Sequence, residues 1–500
     1  MMRAYDAVVI GAGNGGLTAS AALAQKGLQV LLLERHNLPG GCATSFVRGR
    51  FEFEVALHQL SGLGRPEKPG PTRFLLDSLG VTPDLEFVEM ADLYRVVVPG
   101  GLDLVLPADR NGTVSALQAQ FPAERDHIER FFELVYRLSE QFLAVAVFRD
   151  PQPSRDKYPF LYRYSLRPAS EVLDEFFEDE LLKAVLSVYW GYLGISPTRM
   201  AFVYLAILFY VFIEFKPFHI KGGSQAMSNA LMNKFLQAGG RARLGCGAQK
   251  IVVENGEVRG VITDQGDQVD TRFVISNASS VLTYLQLVGA EHVPPEALVE
   301  MRGRSLSASG FVLFMGLDCE PSQLGVSAST SFVMSDPTVS DRPTRQMHAL
   351  DIDEDLMVLS CYNVADPDFS PPGTCQMSLV TLKFGEPWLR VPPAEYFPTK
   401  YRVADGLLRV VERVHPGLRG YIEELEVATP LTHMRYLGHP QGAIYGFEQQ
   451  TKDSLFFQPS RRSAIGGLYF ASGWSGDCGF QATLEAGRSA ANSVIRQIGA

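Results

Sequence analysis

Near the start of the chain, glycines stand at positions 11, 13 and 16 in the stretch VVIGAGNGGL, a G-x-G-x-x-G spacing. An acid, Glu34, follows the first of them at close to the ~20 residues expected for a group that binds a ribose hydroxyl. These residue types in this order hold a dinucleotide. Gly11 permits a tight turn, Gly13 lets backbone approach a pyrophosphate, and Gly16 lets the next helix pack closely on the strand before it. Phosphate then meets free N–H groups and the positive end of a helix dipole along Ala12, Gly13, Asn14, Gly15 and Gly16. Glu34, with Arg35 beside it, takes the ribose. A carboxylate there repels a 2′-phosphate, which disfavours NADP.

The elements that must position these residues are readable around them. Asp6 to Ile10 reads as a strand buried on both faces, because it is nearly continuous in apolar residues. Leu17 to Lys26 reads as a helix from its alanine content, with Gly27 as its stop. Gln29 to Leu33 reads as a second buried strand that delivers Glu34. No second G-x-G-x-x-G follows a strand, so no dedicated nicotinamide domain is expected.

Beyond the acid comes LPGGCATSF, with Gly40 and Gly41. Further on come FEFEVALH (51–58), KGGSQAMSNALMNKF from Lys221, RARLGCGAQKIVVENGEVRGVITDQG, and a closing GGLYFASGWSGDCGFQATLEAGRSAANSVI. In these segments the chain resembles the flavoprotein superfamily that includes phytoene desaturases, carotenoid isomerases, retinol saturases and amine oxidases. The resemblance implies FAD. It implies that Gly41, Cys42, Thr44 and Ser45 lie along its pyrophosphate and ribitol, and that backbone at Ala248 meets adenine. Gly473, Gly479 and Phe480 would belong to the closing flavin loop, with Asp477 in the same loop. The family often has arginine where this chain has Cys42, and Glu54 and Ala56 stand for its usual aspartate and glycine.

The resemblance also nominates side chains for catalysis. His58 would sit beside the flavin as an acid or base. Arg435 and Tyr445, together with His433, lie in THMRYLGHPQGAIYGFEQ, the segment the family brings back over the ring. The implied fold is α/β with an α+β part: a Rossmann-type FAD domain, interleaved with a substrate domain built of a sheet and helices. The FAD domain is expected over 1–95, 220–290 and 455–500, the substrate domain over 96–219 and 291–454. The implied activity is FAD-dependent oxidation, reduction or isomerisation of C–C and C=C bonds in a long apolar, polyene or isoprenoid substrate. The alternatives are an amine oxidase-like flavoenzyme and a flavin-free, prenyl-binding escort-type protein. The electron partner is oxygen, a quinone or a transient NAD(P)H.

Composition narrows the remaining classes. A net charge of −10 argues against a nucleic-acid partner. The six cysteines are scattered without a C-x-x-C pair, so neither a metal site nor a disulfide framework is expected. No secretory leader is read at the N-terminus. The apolar run MAFVYLAILFYVFI, Met200 to Ile213, is too short for the ~20 residues that span a bilayer. A cytoplasmic protein, at most peripheral at a membrane surface, is expected. The run itself reads either as a buried helix or as the wall of an apolar tunnel. Between Ile128 and Phe142, apolar residues recur every three or four positions, the stripe of a core-facing helix. Gly310 to Leu317 and Met377 to Phe384 read as strands, and Asn255-Gly256 as a hairpin turn.

Overall fold

The computed structural model describes residues 5–352, 356–453, 463–476 and 478–499. Asp477 and most of the stretch before the closing segment therefore lie outside the described residues. The chain opens with strand β1 (Ala7–Ile10), helix α1 (Asn14–Ala24) and strand β2 (Val30–Leu33). Both strands are wholly buried, as continuous apolar runs in a parallel sheet require. Gly27, at φ +79°, turns the chain out of the helix toward β2.

β1 and β2 sit in a five-stranded sheet. Its order across the sheet is Arg241–Arg243, β2, β1, Val274–Ser276 and Leu468–Phe470. All neighbours are parallel, with Val8 opposite Leu31 on one side and Val274 on the other. Three distant stretches of chain thus build one sheet. Beside it the strands Ala248–Glu254 and Glu257–Thr263 form an antiparallel hairpin. Asn255 and Gly256 turn it at φ +52° and +76°, the left-handed pair that such a two-residue turn demands.

A seven-stranded sheet forms the second body. Its strands run in the order Ile422–Ala428, Ser309–Leu317, Cys375–Lys383, Met357–Cys361, Thr330–Val333, Asp92–Val97 and Asp103–Pro107. A domain boundary at residue 95 would cut Asp92–Val97. That strand belongs to the second sheet because it pairs in parallel with Thr330–Val333, with Ser331 opposite Arg95.

Helices fill the interval from Arg110 to Phe215. In Arg125–Phe142 the residues Ile128, Phe131, Phe132, Val135, Leu138 and Phe142 are all buried in one cluster. Across from it lies the apolar helix Phe202–Phe215. Phe209 packs edge-on against Phe132 at 5.6 Å and against Tyr189 at 5.2 Å. The two readings of the apolar run are therefore both true, on different faces. Phe202, Val203, Leu205 and Phe209 face the core, whereas Ile207, Leu208 and Val211 line a cavity.

Candidate active site

The cavity, about 1720 Å³, begins at the turn between β1 and α1 and extends to the apolar helix. Gly11 has φ +91°, which gives the turn its sharpness. A Cβ on Gly16 would lie 1.9 Å from the Gly11 carbonyl oxygen, and one on Gly15 would lie 1.7 Å from that of Ala471. The glycines let α1 sit down on the sheet with its N-terminus open to the cavity. Glu34 closes the loop from β2: its carboxylate accepts from the Ala12 N–H at 2.6 Å and the His36 N–H at 2.8 Å. Gly40 and Gly41, at φ +130° and +64°, bring the next loop onto the first, where the Gly40 N–H donates to Ala12 O at 2.8 Å.

Gly11, Gly13, Asn14, Glu34, Arg35, Gly41 and Cys42 line this end of the cavity, and so do Ala248, Gly473, Gly479 and Phe480. The helix Phe480–Ile498 begins there, so a second helix N-terminus opens on the same space. Ala12, Gly15 and Gly16 serve from behind, as backbone and packing. Burial pushes the Cys42 thiol up to about 11, which removes it as a nucleophile at neutral pH.

Thr44 and Ser45 do not line the cavity. The Thr44 hydroxyl donates to Gln225 Oε1 at 2.6 Å, and the Ser45 hydroxyl donates to Glu52 Oε1 at 2.5 Å. Gln225 in turn donates to Pro39 O at 3.1 Å, so this cluster braces the Gly40–Gly41 loop from outside. Asn277 was not signalled by any motif, yet it sits against Gly11 and Gly13. Its amide spans the cradle, donating to Ala471 O at 2.9 Å and accepting from the Gly13 N–H at 3.2 Å. Its position just past the strand Val274–Ser276, at the carboxyl end of a parallel sheet, is the only local clue.

The other end of the cavity is walled by aliphatic and aromatic side chains, among them Leu208, Val211, Val312, Val380 and Ile444. Tyr192, Tyr204, Tyr210 and Tyr445 contribute rings there, and three of these hydroxyls are tied to protein acceptors. Tyr192 donates to Gln59 Oε1 at 3.0 Å, Tyr204 to Gln449 Oε1 at 2.7 Å and Tyr445 to Gly191 O at 3.2 Å. Burial raises the Tyr445 pKa well above that of a free phenol, so it does not ionise near neutrality.

His58 also lines the cavity, on a loop that Glu54 secures. The Glu54 carboxylate accepts from the N–H groups of Ala56, Leu57 and Ser224 and from the Ser224 hydroxyl. Desolvation lowers the His58 imidazole to about 4. His433 is lowered to about 4 by desolvation and then by His439, and its Nε2 is buried without a hydrogen-bond partner. Arg435 is exposed and lies away from the cavity, with its guanidinium over the Tyr436 ring at 5.8 Å. The reason is helical phase. In Pro430–Leu437, His433 and Leu437 share the cavity face at i, i+4, and Arg435 falls on the opposite side. Among the described residues no group of three or more His, Cys, Asp or Glu side chains is arranged to hold a metal ion.

A sequence profile for flavin-containing amine oxidoreductases matches residues 15–495. The chain belongs to this family. Among curated proteins, this family member is 25% identical over 482 residues to the chloroplastic prolycopene isomerase of Daucus carota, covering 93% of this chain and 76% of that one. It is 24% identical over 529 residues to the all-trans-retinol 13,14-reductase of Homo sapiens, covering 98% and 86%. Among solved structures, an oxidoreductase from Methanosarcina mazei superposes with a TM-score of 0.66 at 19% identity, covering 97% of this chain and 99% of that one. Putrescine oxidase bound to putrescine superposes with a TM-score of 0.66 at 14% identity, and Rab GDI from Plasmodium falciparum with 0.57 at 12%. Those two superpositions cover 100% of this chain, with 100% of the oxidase and 98% of the Rab GDI. At these identities the structural likenesses establish the fold.

The family member is an FAD-dependent oxidoreductase with a Rossmann-type cofactor domain. The cradle fits FAD on its own evidence. Two helix N-termini converge on the cavity, a Cβ on Gly40 would lie 2.1 Å from Ala43 O, and Asn14 Oδ1 is buried with no protein partner. If Glu34 holds the ribose, Glu34→Ala removes a charge-assisted hydrogen bond worth roughly 1.5–3 kcal/mol, so the FAD dissociation constant rises roughly 10- to 150-fold. Flavin fluorescence titration of the apoprotein measures this. An unchanged constant assigns the ribose elsewhere.

Proposed function

We propose that this oxidoreductase desaturates, isomerises or saturates C–C and C=C bonds of a long apolar substrate of polyene or isoprenoid type. The observation that carries this reading is the wall opposite the cradle, aliphatic and aromatic, with the hydroxyls of Tyr192, Tyr204 and Tyr445 turned into the protein. Such a wall gives a hydrocarbon chain burial and little else. Relatives that bear the names prolycopene isomerase and all-trans-retinol 13,14-reductase support it.

Bound FAD supplies the redox chemistry. The protein binds the chain along the face formed by Leu208 and Val211, and excludes water from it. His58 and His433 stay neutral at pH 7, because desolvation holds both near 4. His433, whose Nε2 has no hydrogen-bond partner, can therefore take up a proton there as a weak base. Phe148, Val147 and Phe74 line the cavity and are 79%, 56% and 58% exposed. This apolar rim is the portal through which a water-insoluble chain enters, from a membrane surface or a carrier.

The amine oxidase reading would need a carboxylate or aromatic cage for an ammonium group. The wall has tyrosine rings, but Val312, Val380 and Ile444 stand beside them, which suits a hydrocarbon better than an ammonium group. The flavin-free escort reading leaves the complete cradle unexplained. An anaerobic assay with FAD-loaded protein separates the three. Polyenes or isoprenoid alcohols are expected to exchange electrons with the cofactor or to change double-bond geometry. Affinity should rise roughly fourfold per added methylene, from ~0.8 kcal/mol of burial each. Rapid bleaching of the flavin by a small diamine, with polyenes inert, would put the amine oxidase reading in its place. Protein that purifies without flavin and does not take it up would favour the escort reading.

A further inference from the structure

His58 enters the cavity wall from the loop that follows the strand Phe51–Glu54. Two residues of the seven-stranded sheet lie behind it. Tyr362 comes directly after the strand Met357–Cys361, and Ser378 lies within Cys375–Lys383. Three polar atoms meet there. His58 Nδ1 is 3.1 Å from the Tyr362 hydroxyl oxygen, that oxygen is 3.2 Å from Ser378 Oγ, and Ser378 Oγ is 3.4 Å from Nδ1. Tyr362 and Ser378 are 4% and 1% exposed, so water does not serve these groups.

Counting protons decides the tautomer. With Nδ1 bare, Tyr362 donates to Nδ1 and Ser378 donates to the Tyr362 oxygen, and every proton in the triangle has an acceptor. With a proton on Nδ1, the imidazole donates to one hydroxyl oxygen and only one of the two hydroxyl protons then finds an acceptor. A buried donor left without an acceptor bears its full desolvation penalty. We propose that Tyr362 and Ser378 are positioning residues that hold His58 as its Nε2–H tautomer, so that a neutral hydrogen-bond donor faces the cavity and meets an oxygen acceptor on a bound ligand.

The groups around the triangle are compatible with a neutral ring. Glu54, Tyr192 and Cys361 face Tyr362, and His219 lies 6.3 Å from its ring, with Asp366 3.5 Å beyond. The hydroxyls of the neighbouring Tyr192, Tyr204 and Tyr445 are spent on protein acceptors. Of the three imidazoles that line the cavity, His58, His433 and His439, His58 is the one that Tyr362 and Ser378 orient. The acceptor is an oxygen of an otherwise apolar chain or a carbonyl oxygen of the bound cofactor. The tautomer does not depend on which substrate is turned over, so this inference and the proposed function can fail separately.

Isotope-labelled histidine in the full-length protein tests it by NMR, with His58→Gln identifying the His58 resonances among the nine histidines. Nδ1 is expected bare and Nε2 protonated; the reverse overturns the proposal. In Tyr362→Phe/Ser378→Ala the donors to Nδ1 are lost and the neutral ring loses support. Proton affinity at His58 is then expected to rise roughly tenfold, one pH unit in midpoint. An unmoved midpoint and Nδ1 signal also overturn it. If the double variant folds poorly, each single variant is expected to show part of the shift. A displaced Nε2–H signal on adding FAD to apoprotein assigns the acceptor to the cofactor. Displacement by an isoprenoid alcohol, and not by a hydrocarbon of equal length, assigns it to the substrate. No displacement by either removes the donor role. His58→Leu is expected to fall well below native turnover, and His58→Gln, whose amide can donate from the same end of the side chain, to restore part of the loss.

Discussion

Gly15→Ala is expected to abolish FAD retention and to unfold the cofactor domain at markedly lower temperature. The position looks innocuous, since alanine is the best helix former and Gly15 lies in the first turn of α1. Packing overrules propensity. The added Cβ would sit 1.7 Å from the Ala471 carbonyl oxygen and 2.7 Å from the Asn277 side-chain amide. Neither is the free end of a flexible chain: one is backbone next to a buried strand, and the other spans the cradle. The last helix locks the other side, because a Cβ on Gly487 would lie 2.2 Å from Gly15 O. α1 must therefore move bodily, and the phosphate-binding N-terminus moves with it. Overpacking of this severity costs upwards of about 3 kcal/mol. Flavin occupancy and Tm measure both effects. Gly420→Ala is the matched control, since a Cβ there meets nothing within 4 Å. Native-like flavin content in Gly15→Ala would show that the cradle tolerates a shifted helix.

Leu208→Asp is expected to reduce turnover of long apolar substrates by about 100-fold, equivalent to ~2.7 kcal/mol of transition-state binding. FAD should stay bound and the fold intact. Leu208 is half-buried on the cavity face of Phe202–Phe215, so a carboxylate there faces open space and can keep water. A hydrocarbon chain must then strip that water from a charge. Its neighbour supplies the contrast. Phe209 is fully buried against Phe132 and Tyr189, and Phe209→Asp should cost the protein its fold. Should Leu208→Asp lose FAD and stability as Phe209→Asp does, the helix is core on both faces and the substrate lies elsewhere.

Local chemistry made the cofactor cradle legible. Gly11, Gly13 and Gly16 carry their meaning in their own backbone, and a strand, a helix and an acid at the right distance confirm one another within about thirty residues. The Asn255-Gly256 hairpin and the Ile128–Phe142 stripe were readable for the same reason: both depend on neighbours in sequence. The two faces of Phe202–Phe215 were not, because every residue from Phe202 to Ile213 is aliphatic or aromatic and no periodicity separates core from cavity.

What the tertiary structure alone decided concerns partners remote in sequence. Asn277 reaches Gly13 only because the parallel sheet places Val274–Ser276 beside β1. Thr44 and Ser45 have the right chemistry for phosphate, but Gln225, far along the chain, and Glu52 take their hydroxyls first. Arg435 and His433 are equally good candidates on paper, and the packing of one short helix turns the arginine out and the histidine in. Asp92–Val97 joins the second sheet through a parallel partner more than two hundred residues away. The sequence alone determined that a dinucleotide is held at the first turn, since backbone conformation there follows from residue type. Which side chains face the rest of the cavity was decided by packing, since hydrogen-bond acceptors and helix faces are assigned only when distant segments meet.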